Sequence, residues 1–453
     1  MLGLDGDTLT AAARTRLSVP GDVTGVVVTH VFADGPAARA GVQVGDLLVA
    51  VDGTPVSDAC ALTLVAFTRP DCEDAHVTAW RAGQSRTLII APADATSVLE
   101  KRCSSGDSQA CFRRAWLIWS VHKTGPEFAR ALDRFGTSCR GGSAAGCAYY
   151  GVALESQTGR DADRRAALER ACTLGDGPGC SHLAYLHATG DLVPRDHVKA
   201  TAFYETACTR GDSHGCYNLG VNLEGARGVA RDLSRARATY ARGCDGGNPM
   251  ACTNLGGLLK DEGAGTPDLP GALVAYTKGC EGSACEGANL LGCVNLARSY
   301  RDGIGTAADP ARAAELFSAV CEDTIGNAVP AATQQVKACA LLGGMHLAGS
   351  APESSAARGR ALSERACDGG DDFGCFNAAT AHASGLGGPV DEARAATYFE
   401  SGCTAGDAES CYEFAERLES GRGLPRDRAR AKTMRRQACA GGFTKACAAA
   451  PRP

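Results

Sequence analysis

The sequence predicts a small α+β domain joined to a long all-α solenoid stapled by disulfides. Three observations predict it. Cysteine-marked junctions recur from about residue 95 onward at a near-constant period, and each junction carries a second cysteine, usually eight positions later. Residues 1–93 share neither feature and hold short β-rich runs instead. A fixed period of this length marks a solenoid, whose units bury their apolar faces only against their neighbours.

The first cysteines of the junctions are Cys103, Cys139, Cys172, Cys208, Cys244, Cys280, Cys321, Cys367, Cys403 and Cys439, in steps of 36, 33, 36, 36, 36, 41, 46, 36 and 36 residues. The stretch Cys208 to Cys244 serves as the unit. After Cys216 come Leu219, Gly220 and Leu223 at helical spacing, and then the break Gly225-Ala226-Arg227-Gly228. Asp232 follows as an N-cap candidate before a second helix from Leu233. Each unit is therefore two short antiparallel helices. A helix-interior glycine costs about 1 kcal/mol. Its recurrence as Gly151, Gly220, Gly256 and Gly343 predicts close helix contact.

Each junction sets one cysteine at the end of a second helix and one at the start of the next first helix. The pairs are Cys103 with Cys111, Cys139 with Cys147, Cys172 with Cys180, Cys208 with Cys216, Cys244 with Cys252, Cys367 with Cys375, Cys403 with Cys411 and Cys439 with Cys447. The two long steps place extra residues between Cys280 and Cys293 and between Cys321 and Cys339, which makes those the remaining pairs. Zinc sites favour cysteines two to four residues apart and need four ligands together. Ten intramolecular disulfides are expected instead, each contributing about 2.5 kcal/mol in the chain-entropy model. Cys60, Cys72 and Cys285 are left over; Cys60–Cys72 is the simplest pairing, and sequence cannot fix it.

A small residue, Leu-Gly, an apolar or aromatic residue, Gly-x-Gly, Asp and Ala recur in order, and this pattern resembles the Sel1-like repeat, a relative of the tetratricopeptide repeat. With a cysteine pair at every junction it resembles the cysteine-rich Sel1-like proteins of bacteria, over about residues 95–449. The resemblance implies an α/α superhelix whose first helices line a concave face that holds protein partners. It also implies the alternative of a weak β-lactam-binding or β-lactam-hydrolysing protein. Residues 94–453 then hold a capping helix, about nine helix pairs and a closing half-unit.

In the first 93 residues, Val26 to Val31 and Asp46 to Val51 read as strands and Ala59 to Phe67 as a short helix. His76 to Trp80 and Arg86 to Ile90 read as a hairpin. The string Gly35-Pro36-Ala37-Ala38-Arg39-Ala40-Gly41, with Val44-Gly45-Asp46 and Asp52-Gly53, closely resembles the PDZ domains of bacterial envelope proteases. This implies a groove in which a peptide adds as an extra strand. Leu2, Gly3 and Leu4 would hold its terminal carboxylate by backbone N–H groups. Leu62 and Val65 would line the side-chain pocket. No protease domain accompanies it.

Composition excludes several classes. A net charge of −5 with mixed signs leaves no basic footprint for nucleic acid, and no apolar run is long enough for a transmembrane helix. The opening MLGLDGD does not read as a signal peptide, whereas 23 cysteines point to an oxidising compartment. A mature or truncated form of a periplasmic, envelope or secreted protein reconciles the two.

Candidate chemistry is sparse. Ser120-Val121-His122-Lys123-Thr124-Gly125 contains Ser-x-x-Lys and Lys-Thr-Gly in one string. In serine β-lactamases these motifs lie far apart and meet across the site, so one lysine cannot serve both. His187, His346 and His382 occupy positions that hold Leu154, Leu223 and Leu418 in other units, and so read as packing residues. No metal spacing occurs and no cofactor is expected. Asn218, Asn254, Asn295 and Asn377 each follow a cysteine by two residues and are candidate partner contacts, with local bonding as the competing reading. The expected function is a non-catalytic scaffold that binds protein or peptide partners, free C-termini among them.

Overall fold

The computed structural model describes residues 4–9, 11–17, 19–20, 23–31, 36–58, 61–62, 75–81, 84–90, 95–261, 263, 266–282, 288–322 and 332–449. Leu2, Gly3, Val65, Cys60, Cys72, Cys285, residues 283–287 and 323–331 of the inserted segments, and all of the expected helix Ala59 to Phe67 except residues 61–62 lie outside this set. The chain forms two compact units, residues 1–266 with 282–286, and residues 267–281 with 287–453.

The first unit opens with an antiparallel sheet of β1 (Leu4–Thr8), β2 (Val26–Val31), β3 (Leu47–Val51), β4 (Thr54–Pro55), β5 (Ala75–Arg81) and β6 (Gln84–Ile90). The order is β1-β2-β3-β5-β6, with β4 paired to β3. Val26, Val28, Leu48, Val51, Val77 and Ala79 fill its core, as alternating apolar positions on half-buried strands must. β1 and the helix Ala11–Leu17 had no clear signal in the sequence. β1 approaches β2 so closely that a Cβ on Gly6 would lie 2.5 Å from a Val26 methyl, beside the bulge between Asp5 and Gly6.

One buried charge ties this sheet together. Asp46, 1% exposed, receives Nε and Nη2 of Arg81, both at 2.5 Å, and the backbone N–H of Gln43 at 2.8 Å. Arg81 also donates to the Gly41 carbonyl at 2.8 Å. The segment between β2 and β3 is thereby fastened to the end of β5. Bonding to Asp46 holds the Arg81 guanidinium above its ordinary value.

The helical region runs from Ala95–Ser104 to Thr444–Ala449, with nine helix pairs described between them. Disulfides close its junctions. Eight of them span eight residues: Cys103–Cys111, Cys139–Cys147, Cys172–Cys180, Cys208–Cys216, Cys244–Cys252, Cys367–Cys375, Cys403–Cys411 and Cys439–Cys447. Cys280–Cys293 and Cys321–Cys339 close the two junctions that carry the inserted segments. Within a pair the first helix packs on the second through its glycine. A Cβ on Gly220 would lie 2.5 Å from the Tyr240 ring, and one on Gly151 would lie 2.6 Å from a Leu168 methyl. Backbone contact also joins successive pairs. Gly228, at φ +69°, stands so close to the His197 carbonyl that no side chain would fit between them.

Two further devices repeat. Four residues before the second cysteine stands a capping side chain: Asp107, Ser143, Asp176, Asp212, Asn248, Asn289, Asp371 and Asp407 each accept a bond from a first-turn N–H. At the other end, the last carbonyls of a second helix lack partners within that helix. Arginines of the following pair supply them. Arg242 donates to the Cys208 carbonyl at 2.7 Å, Arg365 to that of Cys321 at 3.1 Å, and Arg210 to that of Cys172. Each of these three junctions is thus closed by a disulfide and by a guanidinium from the next unit.

Candidate binding surfaces

Two kinds of surface lie at the margin of the packing just described. The first is the edge of the sheet. β1 pairs with β2 and is the outermost strand on its side of the described sheet, and an edge strand presents a row of backbone groups to any chain laid beside it. Leu4 begins this strand, partly buried against the core. Leu62 is 6% exposed and belongs to the same core cluster. Asp58 caps the turn that leads to Leu62, accepting from the Ala61 N–H at 2.8 Å.

The second surface is the outer flank of the first helices. In Ser213–Glu224, Cys216, Leu219, Gly220 and Leu223 are buried against neighbours. His214, Asn218 and Val221, spaced i, i+4 and i+7, share the other side, where His214 is exposed, Asn218 is half-buried and Val221 packs in part against the core. The four predicted asparagines lie at the middle of these positions in their respective units. Their bonding differs. Asn218 donates to the His214 carbonyl one turn back, at 3.0 Å. Asn254 bonds the hydroxyl of Tyr240 on the preceding second helix. Tyr240 in turn donates to Glu224 at 2.9 Å, and burial, ahead of that bond, pushes its hydroxyl well above its ordinary pKa. Asn295 is half-buried. The amide nitrogen of Asn377 is buried and has no hydrogen-bond partner. Asn218 and Asn254 belong to the first unit, Asn295 and Asn377 to the second.

The histidines pack. His187 stacks on Phe203 with centroids 5.6 Å apart, and burial holds its imidazole below the ordinary value. His346 is 5% exposed and is lowered by burial likewise. His382, fully buried, lies 2.7 Å from Glu364 and accepts from Arg360. The Ser120 hydroxyl is turned to the Leu117 carbonyl at 2.9 Å, while Lys123 lies over the Trp119 ring, 3.2 Å from its centroid. That string therefore presents no paired nucleophile and base. Among the described residues, no cluster of three His, Cys, Asp or Glu side chains could hold a metal ion. No described helix is long and apolar enough to cross a membrane.

Comparison with known proteins separates the chain in the same way. A PDZ domain family model matches residues 27–62. The Sel1 repeat model matches residues 177–212, 213–248, 290–322, 336–371, 373–407 and 408–443. The serine protease Do-like HtrA of Lactococcus lactis subsp. cremoris is 33% identical over 106 residues, 23% of this chain and 26% of that protein. A protein of Pseudomonas fulva named as a probable periplasmic serine endoprotease, DegP-like, is 39% identical over 75 residues, 16% of this chain and 15% of that protein. The chain thus spans about a quarter or less of the length of these relatives. Among solved structures, a Sel1 repeat protein from Oxalobacter formigenes matches with a TM-score of 0.50 and 19% identity, over 79% of this chain and 89% of that one. That likeness is one of fold.

Proposed function

The chain joins an N-terminal PDZ domain to a run of Sel1 repeats, both of them protein-interaction modules, and we propose that it is a non-catalytic scaffold of the cell envelope or exterior. In this reading the PDZ domain captures a peptide C-terminus while the first helices of the repeats hold a protein partner. The observation that carries it is the position of β1, which begins at Leu4, at the edge of the described sheet; in the sequence Leu4 closes the segment Leu2-Gly3-Leu4. A peptide would add to β1 as a further strand, and backbone N–H groups of that segment would receive its carboxylate. Ten disulfides support an oxidising compartment.

The test uses the whole oxidised protein and a library of peptides with free C-termini. Selection of an apolar last residue, with at least tenfold weaker binding after C-terminal amidation, is the expected result. If free and amidated peptides bind alike, the PDZ domain does not read a carboxylate and this part of the proposal fails.

A further inference from the structure

The repeat flank of the second unit carries a gradient of charge along its length. It carries two basic residues toward one end, apolar and polar residues in the middle, and glutamates at the other end. The helix Leu290–Asp302 presents Leu291, 39% exposed, and the half-buried Arg298, and Ala332–Leu347 presents the exposed Lys337. Asp372–Ser384 presents Phe373, 45% exposed, and Asn377. Ala408–Ser420 presents Glu409, and one and two turns further on Glu413 and Glu416. The acidic end is only partly neutralised from within. Arg417 pairs with Glu413 at 3.0 Å and Arg435 with Glu416 at 2.6 Å, and Arg435 also answers Glu419. Glu409 stands exposed beyond them.

The middle of the flank is its apolar part. Phe373 packs by its ring edge over Gly344, where its ring and the Asn377 amide leave no room for a side chain. A Cβ there would stand 3.4 Å from the Phe373 ring and 3.2 Å from the Asn377 amide nitrogen. That nitrogen has lost water and gained no acceptor, a state that costs about 1–3 kcal/mol until an acceptor arrives.

We propose that this face of the second unit binds an extended peptide segment with basic residues at one end, an apolar centre and acidic residues at the other. The basic end lies along Glu409 and Glu416, the apolar centre on Phe373, and the acidic end at Lys337 and Arg298. Packed helices lie about 8–10 Å apart, so three steps span about 27 Å, or about eight extended residues. Charge of this arrangement selects the partner and its register more than it adds affinity. The inference rests on the scaffold reading of the repeats and is independent of the PDZ groove.

The probe is an acetylated and amidated peptide of about nine residues, a block of lysines, a Leu-Gly-Leu centre and a block of glutamates, labelled for fluorescence anisotropy. Amidation keeps it from a carboxylate-reading PDZ domain. Its control has the same composition with alternating charges. The oxidised full chain is expected to prefer the block peptide by about tenfold at low salt, with the preference shrinking as salt screens the charges. Phe373→Ala should weaken binding about tenfold. Lys337→Glu with Glu409→Lys, both exposed positions, should abolish the preference while leaving the circular dichroism and melting of the protein unchanged. Equal binding of the two peptides, or a preference that survives the charge swap, overturns the proposal. If the chain binds free C-termini but neither amidated probe, this inference falls and the PDZ reading stands.

Discussion

Alanine at Gly220 should destabilise the protein, whereas alanine at Gly257 should stabilise it, although both replace a helical glycine. In an open helix the change to alanine gains about 1 kcal/mol. Gly257 meets that condition, since nothing lies within 4 Å of its would-be Cβ; its place in the last turn trims the gain to about 0.5–1 kcal/mol. At Gly220 the new methyl would stand 2.5, 2.6 and 2.9 Å from three Tyr240 ring carbons. That ring cannot retreat, because it is fully buried and its hydroxyl is tied to Glu224 and Asn254. Overpacking costs about 1–3 kcal/mol. With the ring pinned the upper half of that range applies, and subtracting the propensity gain leaves about 1–2 kcal/mol of destabilisation. A chain of two units need not unfold in one step, so the measurement is amide hydrogen exchange read helix by helix. Protection over 213–245 should fall about tenfold in Gly220→Ala, and protection over 249–260 should rise about threefold in Gly257→Ala. Shifts of the same sign in both variants would refute the packing argument.

Two further outcomes follow from the buried charges. Burial holds the Asp176 carboxyl above its ordinary value of 3.8, against the bond it accepts from the Gly179 N–H at 2.6 Å. A group raised in this way contributes stability below its unfolded-state value and loses that contribution as pH rises through its folded-state value. Asp176→Asn keeps the cap without the charge, as Asn248 and Asn289 do naturally. Its melting temperature relative to wild type should therefore rise between about pH 3 and pH 7; a flat or falling difference would count against it. Asp46→Ala removes the buried acceptor of the partly exposed Arg81 guanidinium and of the Gln43 N–H and should cost about 1–3 kcal/mol, seen as lost exchange protection in β3 and β5. Protection that stays at the wild-type level would show that the pair is not what fastens the segment between β2 and β3.

The repeats were legible because their marks are chemical and periodic at once. A cysteine tolerates no substitute in a disulfide, so the pairs stand out even where insertions stretch them to separations of 13 and 18 residues. The glycine facing Tyr240 was legible for a similar reason, since a glycine kept at a cost within a helix implies a neighbour. The caps four residues before eight of the ten second cysteines carry no single-letter mark because Asp, Asn and Ser serve equally there, so the position repeats while the letter does not. β1 gave no signal for a different reason. Leu4-Asp5-Gly6-Asp7-Thr8 is rich in residues disfavoured in strands, and what makes it a strand is its pairing with β2.

The asparagines show where periodicity stops being informative. Sequence places Asn218, Asn254, Asn295 and Asn377 at one position of the repeat, and the fold keeps them there. What each amide does is set by the unit next to it. Asn254 is occupied because Tyr240 stands within reach on the preceding second helix. Asn377 has Ser363 at the corresponding place, but that hydroxyl is turned to the Gly359 carbonyl at 2.8 Å, and the amide nitrogen is left without an acceptor. The same repeat position is thus satisfied in one unit and left unsatisfied in another. In a solenoid each unit is held mainly by its neighbours, so what an amide bonds is decided on the helix next door, at the Tyr240 position, and not by the repeat that carries it.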